Sequence, residues 1–242
     1  MIFGDRNVKP SVRRLSEMSE VVYDRVWLSA AQDMELYFMY RDLSLSDSDK
    51  TVITENRLRY DITVIPPNKL GLEYVKTAGH YHPNVPETTV SYPELYQVLE
   101  GRAHYLMQNL EGARVTDVFV VEADAGDCVL IPPGYGHVTI NPSEKELKMA
   151  NWVCRDFASD YGFFKEKHGA AYFELSSGMF KANKSYGKTP KLRHMKPTRK
   201  KEVGLPRGGS MYQLVKNPRA LDYLIRPQNH VELFRRVLED ED

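Results

Sequence analysis

Cysteine is scarce: Cys128 and Cys154 are the two in 242 residues, and they form no C-x-x-C pair. They read as free thiols in a reducing cytosol. A chain of this length can build a core without disulfide staples. An excess of either charge is also missing. Lys+Arg and Asp+Glu both number 33, so the net charge is zero and the broad basic field of a nucleic-acid binder is absent. No apolar run approaches the ~18 residues of a membrane-spanning helix. The first fifteen residues contain no apolar stretch of signal-peptide type, so they read as mature protein with a cytoplasmic address. No internal repeat is visible. With 42% hydrophobic and 27% charged residues, the composition is that of a soluble globular protein. The length suits one main domain with an extension, or two small ones.

What is present is a series of short strand-forming runs. Residues 36–40 and 60–65 open it. In the second, Tyr60, Ile62 and Val64 alternate with Asp61, Thr63 and Ile65. Further strands are predicted at 73–81, 94–99, 103–109, 115–121, 128–131, 138–140 and 148–153, divided by Gly and Pro punctuation. That pattern predicts a sandwich or barrel. Residues 11–18 are expected to open a short helix, and 161–174 to be helical. From Lys184 to Arg207 there are nine Lys/Arg and one acidic residue, Glu202, which predicts an extended, solvated arm. A nuclear-localisation reading of 196–201 is a weak alternative. Residues 211–242 are expected to be helical in pieces, with Leu214, Leu221, Leu224, Leu233, Phe234 and Leu238 giving an apolar face. The expected domains are therefore 1–175, a barrel with its N-terminal segment, and 176–242, a basic linker and helical extension.

His80-Tyr-His82 carries the strongest chemical signal. Residues two apart in a strand face one way, which sets both imidazoles about 6–7 Å apart at Cα. Two histidines sharing a strand by accident are an even alternative. Glu94 at the start of one strand and His137 after a Pro-Pro-Gly-Tyr-Gly turn can complete a set of three His and one carboxylate. Each alone is more often a surface carboxylate or a satisfied turn histidine; the combination is specific. Such a set suits one divalent ion: Fe2+ is expected, with Mn2+, Ni2+, Co2+ or Zn2+ as alternatives.

Gly79-His-Tyr-His82, Glu94-Leu-Tyr-Gln-Val-Leu-Glu-Gly101 and Gly126-Asp-Cys-Val-Leu-Ile-Pro-Pro-Gly-Tyr-Gly-His137-Val-Thr-Ile-Asn141 look like the two cupin motifs. More narrowly, the chain resembles the archaeal cupin-type glucose-6-phosphate isomerases over about residues 11–175. The Glu94-x-Tyr96 context favours Glu94 over Glu87 as the acidic ligand. The resemblance implies a mainly β protein, a jelly-roll (double-stranded β-helix) barrel with N-terminal strands and a partly helical C-terminal extension. It implies interconversion of glucose 6-phosphate and fructose 6-phosphate, and a homodimer without membrane or nucleic-acid partners. The positions matching the family's phosphate-binding groups are Tyr37, Thr63, Thr77 and Gly79. Each Thr is as readily a strand residue satisfied by its neighbours.

Glu94 is the candidate base for a proton moving between C1 and C2. A metal-assisted hydride shift, with Glu94 only a ligand, is the rival route. Tyr96 shares the face of Glu94 and can bond a sugar hydroxyl, and Tyr161 matches a family tyrosine. This chain departs from the family at Ser159, where a His stands in Pyrococcus-type enzymes, and at Val153, where an aromatic residue stands. His104 is expected to be structural, and His168, His194 and His230 to carry no chemistry. The alternatives are a non-catalytic sugar-phosphate-binding cupin, a cupin oxygenase and a phosphomannose isomerase.

Overall fold

The strand-forming runs close into two facing sheets, the walls of a cupin-type jelly-roll barrel. The computed structural model describes residues 1–205 and 208–239, so Arg207 of the basic arm and residues 240–242 of the extension lie outside the described residues. The strands are β1 (Ser11–Arg14), β2 (Glu35–Tyr40), β3 (Leu58–Ile65), β4 (Glu94–Glu100), β5 (Arg102–Glu111), β6 (Arg114–Asp124), β7 (Cys128–Ile131), β8 (Tyr135–Ile140), β9 (Leu147–Cys154) and β10 (Arg193–Met195). One wall has the order β7-β4-β9-β3-β2-β1 and the other β8-β5-β6-β10. All pairings within the walls are antiparallel except β10 on β6.

The two faces of the larger wall have opposite character. Tyr60, Ile62, Leu95, Leu130 and Trp152 turn outward and are buried beneath the C-terminal segment, in one apolar cluster with Met211, Leu214, Leu221 and Leu224. Arg59, Asp61, Thr63, Asn151 and Glu94 turn into the barrel and line its cavity. Two hydrogen bonds fix the lid on the outer face. Trp152 Nε1–H donates to Met211 O at 2.8 Å, and the Met211 N–H donates to Gln97 Oε1 at 2.8 Å. No helix among the described residues is long and apolar enough to cross a membrane.

Four local expectations are corrected. Residues 11–14 are strand β1, and only Leu15–Met18 is helical. Residues 161–174 are helical only over Gly162–Glu166, because His168 and Gly169 take positive φ, and Tyr172–Glu174 pairs with Phe180–Ala182. Residues 184–205 are not a free, extended arm: they include 3-10 turns at Lys184–Tyr186 and Lys200–Val203 and are held on the barrel. β10 adds to β6, Thr198 N–H donates to Cys128 O at 2.8 Å, and Val203 is fully buried. The run 73–81 is a strand only at Glu73–Tyr74. It then follows the edge of β8 through bridges Lys76↔Ile140 and His80↔His137, interrupted where Gly79 takes φ +78°.

Candidate metal centre and its cavity

Three backbone devices bring the four predicted ligands together. Gly79 turns the chain out of its bridge with β8, and His80 then exchanges hydrogen bonds with His137, N–H to O at 3.2 Å and 3.1 Å. That pairing sets the two rings with centroids 4.4 Å apart. His82 is oriented by its Nδ1, 2.8 Å from Tyr92 O. A carbonyl only accepts, so Nδ1 carries the proton and Nε2 presents a lone pair. Glu94 comes from the first position of β4, across β9 and β3 in register, Glu94↔Val153↔Arg59. The four ligand atoms lie within 4.8 Å of one another.

The donor chemistry of this cluster fits a divalent cation. His80 Nε2 and His82 Nε2 are 3.1 Å apart. Glu94 Oε2 lies 3.4 Å from His82 Nε2, 3.4 Å from His137 Nε2 and 3.9 Å from His80 Nε2. Burial, then the neighbouring His137 and His82, holds the His80 ring well below the usual imidazole range. Burial likewise lowers His137, against the pull of Glu94. Burial alone would raise the Glu94 carboxyl, but its contacts with His137 and His82 outweigh it and hold the group well below the usual range. Depressed His80 and His137 rings facing an ionised carboxylate suit the binding of a cation. Oε2 of Glu94 approaches all three imidazoles.

Three of these ligands, His80, His82 and Glu94, line a cavity of about 340 Å³, and His137 is buried beside them. Tyr96 places its hydroxyl 3.3 Å from His137 Nε2, and burial raises its pKa well above the usual phenol value. Tyr161 also lines the cavity, its ring centroid 5.4 Å from that of His80. Tyr37, Thr63 and Thr77 line it as well. The Tyr37 hydroxyl accepts from Ala78 N–H at 3.4 Å, and burial pushes its pKa up to about 12. Thr77 Oγ1 accepts from Thr139 N–H at 3.0 Å. Gly79 does not line the cavity. A Cβ there would stand 2.6 Å from Phe164 Cδ1 and 2.7 Å from Val138 Cγ2, so packing and its φ account for the glycine.

Ser159 and Val153, the two departures, both line the cavity. Glu87 is exposed on the loop before β4, away from the cluster. His104 pairs with Glu174, Nδ1 2.9 Å from each carboxylate oxygen, on the far face of β5. His194 lies 3.5 Å from Glu122, His230 lies 3.0 Å from Asp222, and His168 sits in the turn after the helix Gly162–Glu166.

Sequence reasoning missed Arg41, Arg59 and Asn151, and it gave Asp61 no role. Arg59 Nε donates to both oxygens of Asp61, at 2.8 Å and 3.1 Å. Asp61 Oδ1 also accepts from Asp42 N–H at 2.8 Å. Burial still leaves the Asp61 carboxyl above its usual value, against the opposing Arg59 charge. The signal was available in the alternation Arg59-x-Asp61-x-Thr63 on β3, a polar face on a strand whose other face is apolar.

A family model described as glucose-6-phosphate isomerase (GPI) matches residues 12–191. The glucose-6-phosphate isomerase of Thermococcus litoralis is 31% identical over 162 residues, covering 66% of this chain and 78% of that one. The one from Pyrococcus furiosus is 31% identical over 162 residues, covering 66% and 77%. Among solved structures, a mutant oxalate decarboxylase of Bacillus subtilis aligns with a TM-score of 0.38 and 16% identity, over 52% of this chain and 28% of that one.

Proposed function

This chain belongs to the glucose-6-phosphate isomerase family, and from that premise we propose that it interconverts glucose 6-phosphate and fructose 6-phosphate with one divalent ion per subunit. The observation that carries the reading is the arrangement along the cavity. The ligand cluster stands at one end. Thr63 stands four residues further along the strand direction, about 13 Å at the backbone, with Tyr37 and Thr77 near it. Hydroxyls at that end suit a phosphate, while the cluster faces the carbonyl carbons. Phosphate binding far from the reacting atoms then holds the open chain in its reactive pose.

His80, His82, Glu94 and His137 would hold the ion, with Fe2+ the expected metal. When bound, it supplies Lewis-acid polarisation of the sugar's carbonyl and hydroxyl oxygens. Glu94 can serve as a base despite its place in the cluster, because it lines the cavity and a carboxylate that gives one oxygen to the ion keeps a second for the substrate. Proton transfer by this carboxylate between C2 and C1 passes through an enediolate. A direct hydride shift is the alternative. Isomerisation in D2O separates the two, because only the proton route exchanges substrate hydrogen with solvent. Tyr96 and Tyr161 are placed to bond sugar hydroxyls.

The test is fructose 6-phosphate turnover before and after EDTA, with Fe, Mn, Ni, Co and Zn added back singly and mannose 6-phosphate assayed in parallel. Turnover that no metal restores or supports sinks the reading. A cytoplasmic homodimer is part of the same proposal, and light scattering of the purified chain giving one subunit's mass would refute the dimer.

A further inference from the structure

The cavity is lined by two cationic side chains, Arg41 and Arg59, and the Arg59 backbone stands four residues along β3 from Thr63. Across β3, β9 and β4 the register is Arg59↔Val153↔Glu94. Two strand spacings put the Arg59 and Glu94 backbones about 10 Å apart, with both side chains facing inward. The intervening residue is Val153, which offers no polar atom. Ser159, on the loop beyond, is short. The long polar side chain at this level of the wall is therefore Arg59.

Its guanidinium is also pre-set. Asp61, nearly fully buried and tied to the backbone of Asp42, takes only the Nε–H of Arg59. Among the described residues, neither Nη of Arg59 donates a hydrogen bond. A carboxylate that clamps Nε leaves two parallel N–H donors, on Nη1 and Nη2, for another pair of oxygens. Arg41 lacks such a clamp: its Nη2 rests 3.1 Å from Met39 Sδ and the residue is exposed.

We propose that Arg59 is a catalytic residue that bonds the oxygen on which negative charge collects as the enediolate forms, with Asp61 as its positioning residue. The inference rests on the isomerase reading and on the proton route within it. In the step it serves, the C2–H bond of the open-chain aldose breaks and the proton passes to the Glu94 carboxylate. The C–H electron pair becomes the C1–C2 double bond, and the carbonyl π pair moves onto O1, which becomes the anion. The O2 hydroxyl proton then passes to O1, moving the charge to O2; the O2 pair forms the C2 carbonyl while the C1–C2 π pair takes the proton back from Glu94 at C1, which restores neutrality and yields the ketose. A donor aimed where that charge appears stabilises the transition state more than the ground state, so its removal lowers kcat with little change in KM.

The test compares two ligands of one length and one phosphate. Arabinonate 5-phosphate carries a planar carboxylate at the reacting end, in the place of the enediolate oxygens. Arabinitol 5-phosphate carries a neutral alcohol there. Calorimetric affinities are measured on metal-loaded wild type, Arg59→Ala, Arg59→Lys and Asp61→Asn. In Arg59→Ala the carboxylate ligand is expected to weaken by about 10²-fold, with the alcohol ligand unchanged within about twofold. Arg59→Lys is expected to recover part of the loss. Asp61→Asn, which leaves the guanidinium in place but loosens it, falls between.

Equal loss for both ligands in Arg59→Ala would overturn the proposal, since Arg59 would then hold the phosphate or the shape of the site. Unchanged affinity for both would overturn it as well. A wild type that turns over fructose 6-phosphate yet gives either pattern loses only this inference. A wild type that binds neither ligand loses the isomerase reading together with it.

Discussion

Gly79→Ala tests how the barrel aims its first metal ligand. The residue precedes His80 and takes φ +78°, a conformation that costs an L-residue roughly 1–2 kcal/mol. The new Cβ would stand 2.6 Å from Phe164 Cδ1 and 2.7 Å from Val138 Cγ2. Phe164 is fully buried and Val138 nearly so, so neither side chain has room to withdraw. Overpacking of this kind adds about 1–3 kcal/mol. The lower entropy of the unfolded alanine chain offsets the sum by roughly 0.4–1 kcal/mol, so the cost added to folding is about 2–4 kcal/mol. For a chain of this size that corresponds to a fall in Tm of roughly 5–15 °C. Thermal unfolding followed by circular dichroism reads it directly. Phe164→Leu is expected to cost stability alone yet to return part of the loss when combined with Gly79→Ala, because it removes the clash while leaving the φ strain. Metal affinity is expected to fall in the single variant, since the His80 bridge to His137 must shift. A Gly79→Ala protein melting within about 3 °C of wild type would refute the packing argument and return Gly79 to a role in ligand approach alone.

Other perturbations follow from particular contacts. EDTA is expected to lower the Tm of the metal-loaded protein by roughly 8–16 °C, since an ion at a thousand times its Kd adds about 4 kcal/mol. His82→Ala and His137→Ala should bind no metal by elemental analysis and melt identically with and without EDTA. Trp152→Phe strips the donor from the Met211 carbonyl beneath the C-terminal segment and should cost about 1–3 kcal/mol in urea unfolding. Its effect on turnover should be small, because Trp152 faces away from the cavity; an unchanged urea midpoint would count against the contact. Asp117 accepts from Arg193 at 2.8 Å and 3.1 Å and from the Tyr135 hydroxyl at 2.8 Å. Burial works to raise its carboxyl, and these partners outweigh burial and lower it. The unfolded carboxyl therefore binds protons first. The contribution is complete above the ordinary carboxylate range and is lost as pH falls through the lower folded value. Asp117→Asn should flatten the acid side of the stability profile from the ordinary carboxylate range downward; an acid limb identical to wild type would show the pairing to be without effect.

The parts of the fold legible in the sequence are those fixed by short-range pattern. Alternation and Gly/Pro punctuation located the long strands, and the two-residue spacing of His80 and His82 survives although that segment is not a continuous strand. Where the sequence misled, a tertiary contact decided. Ser11–Arg14 pairs with β2 instead of opening a helix, and strand edges are invisible to local propensity. Residues 184–205 have the composition of a solvated arm, yet Met195, Val203 and Leu205 are enough to seat them against the barrel.

The most informative element is β3. Apolar alternation is ordinarily taken to mark the inward face, but here both faces are buried for different reasons. Tyr60 and Ile62 serve a second core, built with residues more than 140 positions further along the chain. That frees Arg59, Asp61 and Thr63 to line the cavity. Covering the outer face with the C-terminal segment is what allows this strand to keep its polar side for the site. The extension and the cavity's chemistry are therefore linked through one strand's two faces. Loosening the cover by Trp152→Phe should accordingly raise the amide-exchange rate of β3 before that of β5 or β6, and exchange spread evenly over both walls would argue against that link.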